Sequence, residues 1–130
     1  MARREDNPTR TLIESFIEAY NGFDVDRMVS LMHPECSFQN VSGGQVNASA
    51  EGLAQFRELA ESSKALFTSR RQTITGYRRE ADTVTVEIAY EGVFKIDIPN
   101  GPKAGQTLRL TGRSVYELRD GLIYRLADYS

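Results

Sequence analysis

The sequence has one cysteine, Cys36, and one histidine, His33. A lone cysteine excludes an intrachain disulfide, and one Cys with one His is too few ligands for an ordinary zinc site. No metal is therefore expected, and no cofactor is invoked. No stretch approaches the roughly 20 consecutive apolar residues of a membrane-spanning helix. The polar N-terminus, MARREDNPTR, lacks the apolar run of a signal peptide. A reduced, cytoplasmic setting away from membranes is the simplest expectation. Basic residues form no block longer than a pair, as at Arg70-Arg71 and Arg78-Arg79, and the net charge is -2. Nucleic-acid binding thus has no electrostatic footprint, and these arginines read as solvated strand ends. Repeats and low-complexity tracts are also missing.

What is present suits a single globular domain over residues 1–130. Apolar residues make up 40% of the chain, enough for a packed core. Asn7 and Pro8 read as the N-cap and first-turn proline of a helix. Its Ile13, Phe16, Ile17 and Tyr20 fall at i, i+3, i+4 and i+7, one amphipathic face, and Asn21-Gly22 closes it. Asp24 caps a short second helix with Val25, Met28, Val29 and Met32 on one side. Pro34 ends that helix, because proline disfavours helical geometry at His33. Residues 36–41 read as a short strand. A third helix is expected from about Ser49 to Phe67, with Leu53, Phe56, Ala60 and Phe67 on one face.

Beyond that helix the period changes to two. Residues 72–77 form a weakly patterned strand. Val84, Val86, Ile88, Tyr90, Phe94 and Ile96 alternate with polar neighbours, as do Leu108, Leu110, Ser114, Tyr116 and Leu118. Such alternation marks antiparallel strands with one buried and one wet face, and Asp120-Gly121 is a hairpin turn signal. Helices followed by strands, without βαβ alternation, give an α+β class. Ile13, Phe16, Ile17, Tyr20, Phe56, Ile88 and Leu110 are expected to share one core. Three helices against one curved antiparallel sheet would enclose a cavity. Asp128 follows Leu126 at period two, so an acid is expected on that inner, apolar wall, as a catalytic group or an anchor for a ligand. Burial should raise its pKa. Asn40, Tyr90, Ser114 and Tyr116 complete the expected polar set. Cys36 reads as a small buried hydrophobe, and His33 as a surface turn residue.

Three segments carry a family resemblance: FIEAYNGFDVDRMVSLMHPECSF, EGLAQFREL and NGPKAGQTLRLTGRSVYELRDGLIYRLADY. In this order they resemble the nuclear transport factor 2-like (cystatin-like) superfamily, and within it the SnoaL-like domains. The resemblance covers about Leu12 to Ser130. It implies a cone-shaped barrel of three N-terminal helices on a curved antiparallel sheet, with a pocket between them. It also implies a homodimer through the wet sheet face, where Glu87, Glu91, Arg109, Arg113 and Glu117 stand. The ligand it implies is a small apolar molecule of polyketide-like or steroid-like type. Phe16, Tyr20, Phe38, Asn40, Phe56, Tyr90, Ser114 and Tyr116 are the expected ligand-binding residues, and Asp128 the catalytic candidate.

Each of the superfamily's reactions requires particular residues at matching positions. Ketosteroid isomerases need a carboxylate base where Asn40 stands, a tyrosine where Phe16 stands and a second donor at Ser114. Asparagine cannot abstract a proton, and phenylalanine cannot donate a hydrogen bond. Limonene-type epoxide hydrolases use two Asp bridged by an Arg. Phe38-Gln39-Asn40 resembles their Tyr-Gln-Asn, and Asp128 matches one acid, but the other positions fall near Ile88 and Tyr90. SnoaL-type cyclases pair an acid/base Asp, which Asp128 matches, with a His, for which only His33 is available. A small-molecule binder, a cofactor-free hydrolase, isomerase or cyclase using Asp128, and a non-catalytic dimeric accessory protein all remain open.

Overall fold

The computed structural model describes residues 2–130, with side chains from residue 8 onward. Three helices come from the N-terminal half: α1 (Ala2–Asn21), α2 (Val25–Ser30) and α3 (Gly52–Lys64). Six strands form one open sheet: β1 (Met32–Ser42), β2 (Gln45–Glu51), β3 (Phe67–Glu80), β4 (Thr83–Phe94), β5 (Thr107–Arg119) and β6 (Leu122–Tyr129). Their order is β2-β1-β6-β5-β4-β3. The sheet is antiparallel except where β6 runs parallel to β1. It curves around the helices without closing. Among the described residues no helix is long and apolar enough to cross a membrane.

The helix α1 starts at Ala2 and runs through Pro8. Asn7 is thus no boundary, and its side chain lies outside the described residues. Proline's fixed φ is itself helical, and its missing N–H costs one bond near the helix start. At the other end the Asp24 amide donates to Ala19 O at 2.8 Å, and the Phe23 amide to Tyr20 O at 3.1 Å. This is a Schellman closure. Phe23, not Gly22, takes the left-handed conformation, with φ 59°. Asp24 then caps α2 by accepting from the Arg27 amide at 3.1 Å.

Several expected boundaries move. The helix α2 ends at Ser30, so Met32, His33 and Pro34 belong to β1. Pro34 has no N–H for a ladder, and the β1–β6 register shifts between Met32 and Ser37 around it. The edge strand β2 replaces the expected start of α3 at Ser49. Gly43 and Gly44, at φ 60° and 80°, fold the chain back so that Ala50 pairs with Phe38. Phe67 leaves the helical face and opens β3, where its ring stacks on Phe94 at 4.9 Å. Asp120 and Gly121 both have positive φ, as a two-residue hairpin turn between β5 and β6 requires.

The core lies between the helices and the inner sheet face. Ile13, Phe16 and Ile17 of α1 and Phe56 of α3 meet Val84, Val86, Ile88, Tyr116, Ile123 and Leu126 there, with Tyr20 packed at its margin. Cys36 is buried in it too. Leu110 departs from the expected core, at 37% exposed. It points to the inner side but stands at the open end of the sheet. On the outer face one of the expected charge pairs forms within the chain. Glu91 and Arg109 are cross-strand partners with a 2.7 Å contact, and Glu87 lies opposite Arg113.

Candidate functional site: a cavity with an acid at one end

Between α1, α3 and the inner sheet face lies a cavity of about 540 Å³. Its walls are mostly apolar, with Phe16, Phe38, Phe56, Leu59, Ile88 and Leu108 contributing. The amphipathic faces of α1 and α3 supply the aromatic rings, and the period-two alternation of β4 and β5 supplies the aliphatic floor. Gly112 lies in that floor and lets the end of β6 approach closely. It lies opposite Ile88, and a Cβ there would collide with the Tyr129 carbonyl.

Asp128 lines this cavity. The sheet register sets it beside Ser114 of β5 and Asn40 of β1. Ser114 Oγ donates to Asp128 Oδ1 at 2.7 Å. Burial pushes the Asp128 carboxyl up to about 6, and the Ser114 hydrogen bond only partly opposes this. The Asn40 amide also lines the cavity, but it donates to Asn47 Oδ1 at 2.8 Å rather than to Asp128. Tyr20 and Tyr90 share a hydrogen bond between their hydroxyls at 2.8 Å. Burial raises both pKa values, with the Asp128 charge adding to the effect.

Of the expected site residues, Phe16, Tyr20, Phe38, Asn40, Phe56, Tyr90, Ser114 and Asp128 all line the one cavity. Tyr116 does not. It shares the inner face with Ser114 but sits deeper, fully buried and edge-on to Phe16. His33 stays outside, with Nε2 3.4 Å from Asp120 Oδ2 and its ring against Tyr124.

Arg70 corrects the expectation of solvated arginine pairs. Arg71, Arg78 and Arg79 are exposed, but Arg70 is only 5% exposed and lines the cavity. Its Nε donates to Tyr20 O at 2.9 Å, near the carbonyl end of α1. Its guanidinium stands 3.6 Å from the Tyr20 ring centroid and 4.6 Å from that of Phe23. Asn21 fixes the same junction, exchanging hydrogen bonds with the backbone of Gln72. The only sequence signal for this was period-two parity with Gln72 and Ile74.

A family model described as a SnoaL-like domain matches residues 13–126. The chain belongs to the SnoaL-like domain family. No curated protein shows significant similarity to it. Solved structures agree with the fold of this SnoaL-like domain. A candidate polyketide cyclase from Xanthomonas campestris pv. campestris is 24% identical with TM-score 0.77, covering 95% of this chain and 90% of its own. A protein of ketosteroid isomerase-like fold from Catenulispora acidiphila, in complex with trimethylamine, is 20% identical with TM-score 0.75, covering 92% and 84%. TerC, co-crystallised with polyporic acid, is 19% identical with TM-score 0.74, covering 93% and 89%. At these identities the likeness is one of fold, and the chemistry rests on this SnoaL-like domain's own residues.

Proposed function

We propose that this SnoaL-like domain binds a small, largely apolar, ring-containing molecule in the cavity and moves a proton on it through Asp128. The observation that carries the reading is the half-buried Asp128 carboxyl at about 6, hydrogen-bonded to Ser114 in an apolar wall. An acid tuned toward neutrality exchanges protons efficiently near working pH. The chemistry that suits a single such group is proton abstraction next to a carbonyl. Asp128 takes the proton from carbon, the C–H electron pair moves into the new C=C bond, and the carbonyl oxygen becomes an enolate. Ring closure by aldol addition or double-bond isomerisation both begin this way, and the same Asp128 returns the proton. Hydrolysis with two acids is disfavoured, because the positions for its second acid and arginine hold buried Ile88 and the Tyr90 paired with Tyr20. The candidate cyclase and the polyporic acid complex among the structural neighbours agree with a polyketide-like ligand. No cofactor is invoked.

The test is Asp128→Asn, which keeps the shape and removes the exchangeable proton. Loss of turnover with ligand binding retained supports catalysis, and kcat/KM should rise with pH through about 6 in the wild type. If binding changes by no more than one hydrogen bond, roughly 0.5–1.5 kcal/mol, and no turnover depends on Asp128, the domain is a binder only.

The second element is a homodimer through the outer sheet face. A groove lined by Gln39, Ser49, Thr83, Val115, Tyr124 and Ala127 gives that face a concave, mixed surface. Sedimentation should give a dimer at micromolar concentration, and a monomer there would remove this element.

A further inference from the structure

We propose that the Tyr20–Tyr90 pair, with the Arg70 guanidinium behind it, is a receptor for an oxygen anion, so the cavity selects apolar ring compounds bearing a carboxylate, phenolate or enolate oxygen. The inference rests on the proposed function in one respect, that the cavity takes a small molecule. It adds the charge of that molecule and the end at which the charge sits.

Arg70 carries the argument. Its guanidinium is buried, and among the described residues no carboxylate lies within ion-pair distance of it. Nε is used by the Tyr20 carbonyl, and Nη1 stands 3.5 Å from Ser63 Oγ. Nη2 is buried without an acceptor among the described residues. A guanidinium stays protonated in proteins, and an unpaired buried charge is costly. Closing the end of α1 accounts for Nε alone. The faces of Tyr20 and Phe23 offset part of the cost by cation–π attraction. Neither role explains a full positive charge set against the wall of an apolar cavity.

The tyrosine pair supplies the contact. Two hydroxyls hydrogen-bonded to each other at 2.8 Å use one proton between them. The second hydroxyl proton is then free to donate to a third oxygen. Both phenols feel the positive field of Arg70 and, more weakly, the negative charge of Asp128. The pair therefore shares the cavity with a cation and an acid, and the cation acts on it more strongly. A ligand oxygen accepting from this pair sits in the field of Arg70 and has its negative charge stabilised there. In the proposed reaction that oxygen is the one that becomes the enolate. The proton then leaves toward Asp128, and the charge develops toward Arg70.

Two probes of one shape test this: 2-naphthoate, which is an anion, and 2-naphthamide, which is neutral. Their affinities for the intact protein are measured calorimetrically near neutral pH and low salt. The acid should bind at least about tenfold tighter than the amide, the size of one charge-assisted hydrogen bond. Arg70→Met should erase that preference by weakening the acid and leaving the amide within about twofold, while Arg70→Lys keeps part of it. Equal affinities for the wild type would overturn the inference and leave the cavity reading standing. Failure of both probes to bind would overturn both. Arg113 also lines the cavity, from an exposed position at its rim. A preference that survives Arg70→Met but is lost in Arg113→Met would put the anion at the rim and overturn the assignment. If Arg70→Met fails to fold, the wild-type pair of affinities and Arg113→Met decide the matter.

Discussion

Asp128→Asn should stabilise the protein above about pH 7 and have little effect below about pH 4. This is the reverse of what loss of an ion-paired acid does. The folded Asp128 carboxyl has a pKa of about 6 against an ordinary 3.8, with burial as the main cause. A raised acid pKa means that the folded state holds the proton more tightly than the unfolded chain does. Between those two values the folded state binds more protons, so stability falls as pH rises through that window. Above about 6 the folded protein carries a charge its surroundings disfavour, and below 3.8 both states are neutral and the cost vanishes. At about 1.4 kcal/mol per pH unit the full cost is roughly 3 kcal/mol, as an upper figure for a group that borders a cavity. Asparagine keeps the Oδ1 acceptor that Ser114 Oγ uses at 2.7 Å, so the variant removes the charge and little else. Urea denaturation of both proteins across that range gives the difference directly. A constant difference at all pH values, or destabilisation that grows with pH, would show that Asp128 is not held in this way.

The inner face on which Asp128 stands is legible in the sequence. Period two placed Asp128, Ser114 and Leu126 on the inner face, and helical spacing placed Phe16 and Phe56 opposite them. Parity assigns a face but not a depth. Leu110 and Tyr116 both point inward from β5, yet Leu110 stands at the open rim and Tyr116 lies under the helices at the sealed end. How far the helices extend over the strands decides this, and that is a tertiary property. The strand β2 carries no clear sequence signal, because Gln45–Glu51 holds one β-branched residue, Val46, and its small Ala48 and Ala50 read as well for helix. The burial of Arg70 is hidden from the sequence for a related reason. Arginine is rarely buried, and its burial here depends on a carbonyl and two rings at the end of α1. That junction exists only because Phe23 takes a left-handed conformation unusual for a bulky residue. The Ser114–Asp128 contact is not fixed by the Asp120-Gly121 turn either: that register alone would set Asp128 opposite Arg113, and the bulge between Glu117 and Leu118 shifts it by one residue to Ser114.

Phe56→Ala should cost about 3 kcal/mol, the lower end of the range for truncating a buried phenylalanine. The ring is 4% exposed and sits where α1, α3 and β1 meet. Its centroid lies 6.2 Å from that of Phe16 and 6.0 Å from that of Phe38. Removing it loses the transfer energy of the ring and two aromatic contacts at once. The lower end applies because one side of the ring already borders the cavity. Less new void is therefore created than in a sealed core. The melting temperature should fall by roughly 10 °C for a domain of this size. Leu110→Ala is the control. That side chain faces the same way from the exposed rim, and its loss should cost less than about 1 kcal/mol. Urea titrations should show both differences with unchanged slopes. If the two variants lose similar stability, Phe56 does not join the helices to the sheet. A larger cavity should also let Phe56→Ala accept bulkier ring compounds than the wild type. Binding of a three-ring carboxylate alongside 2-naphthoate would separate loss of packing from loss of the site.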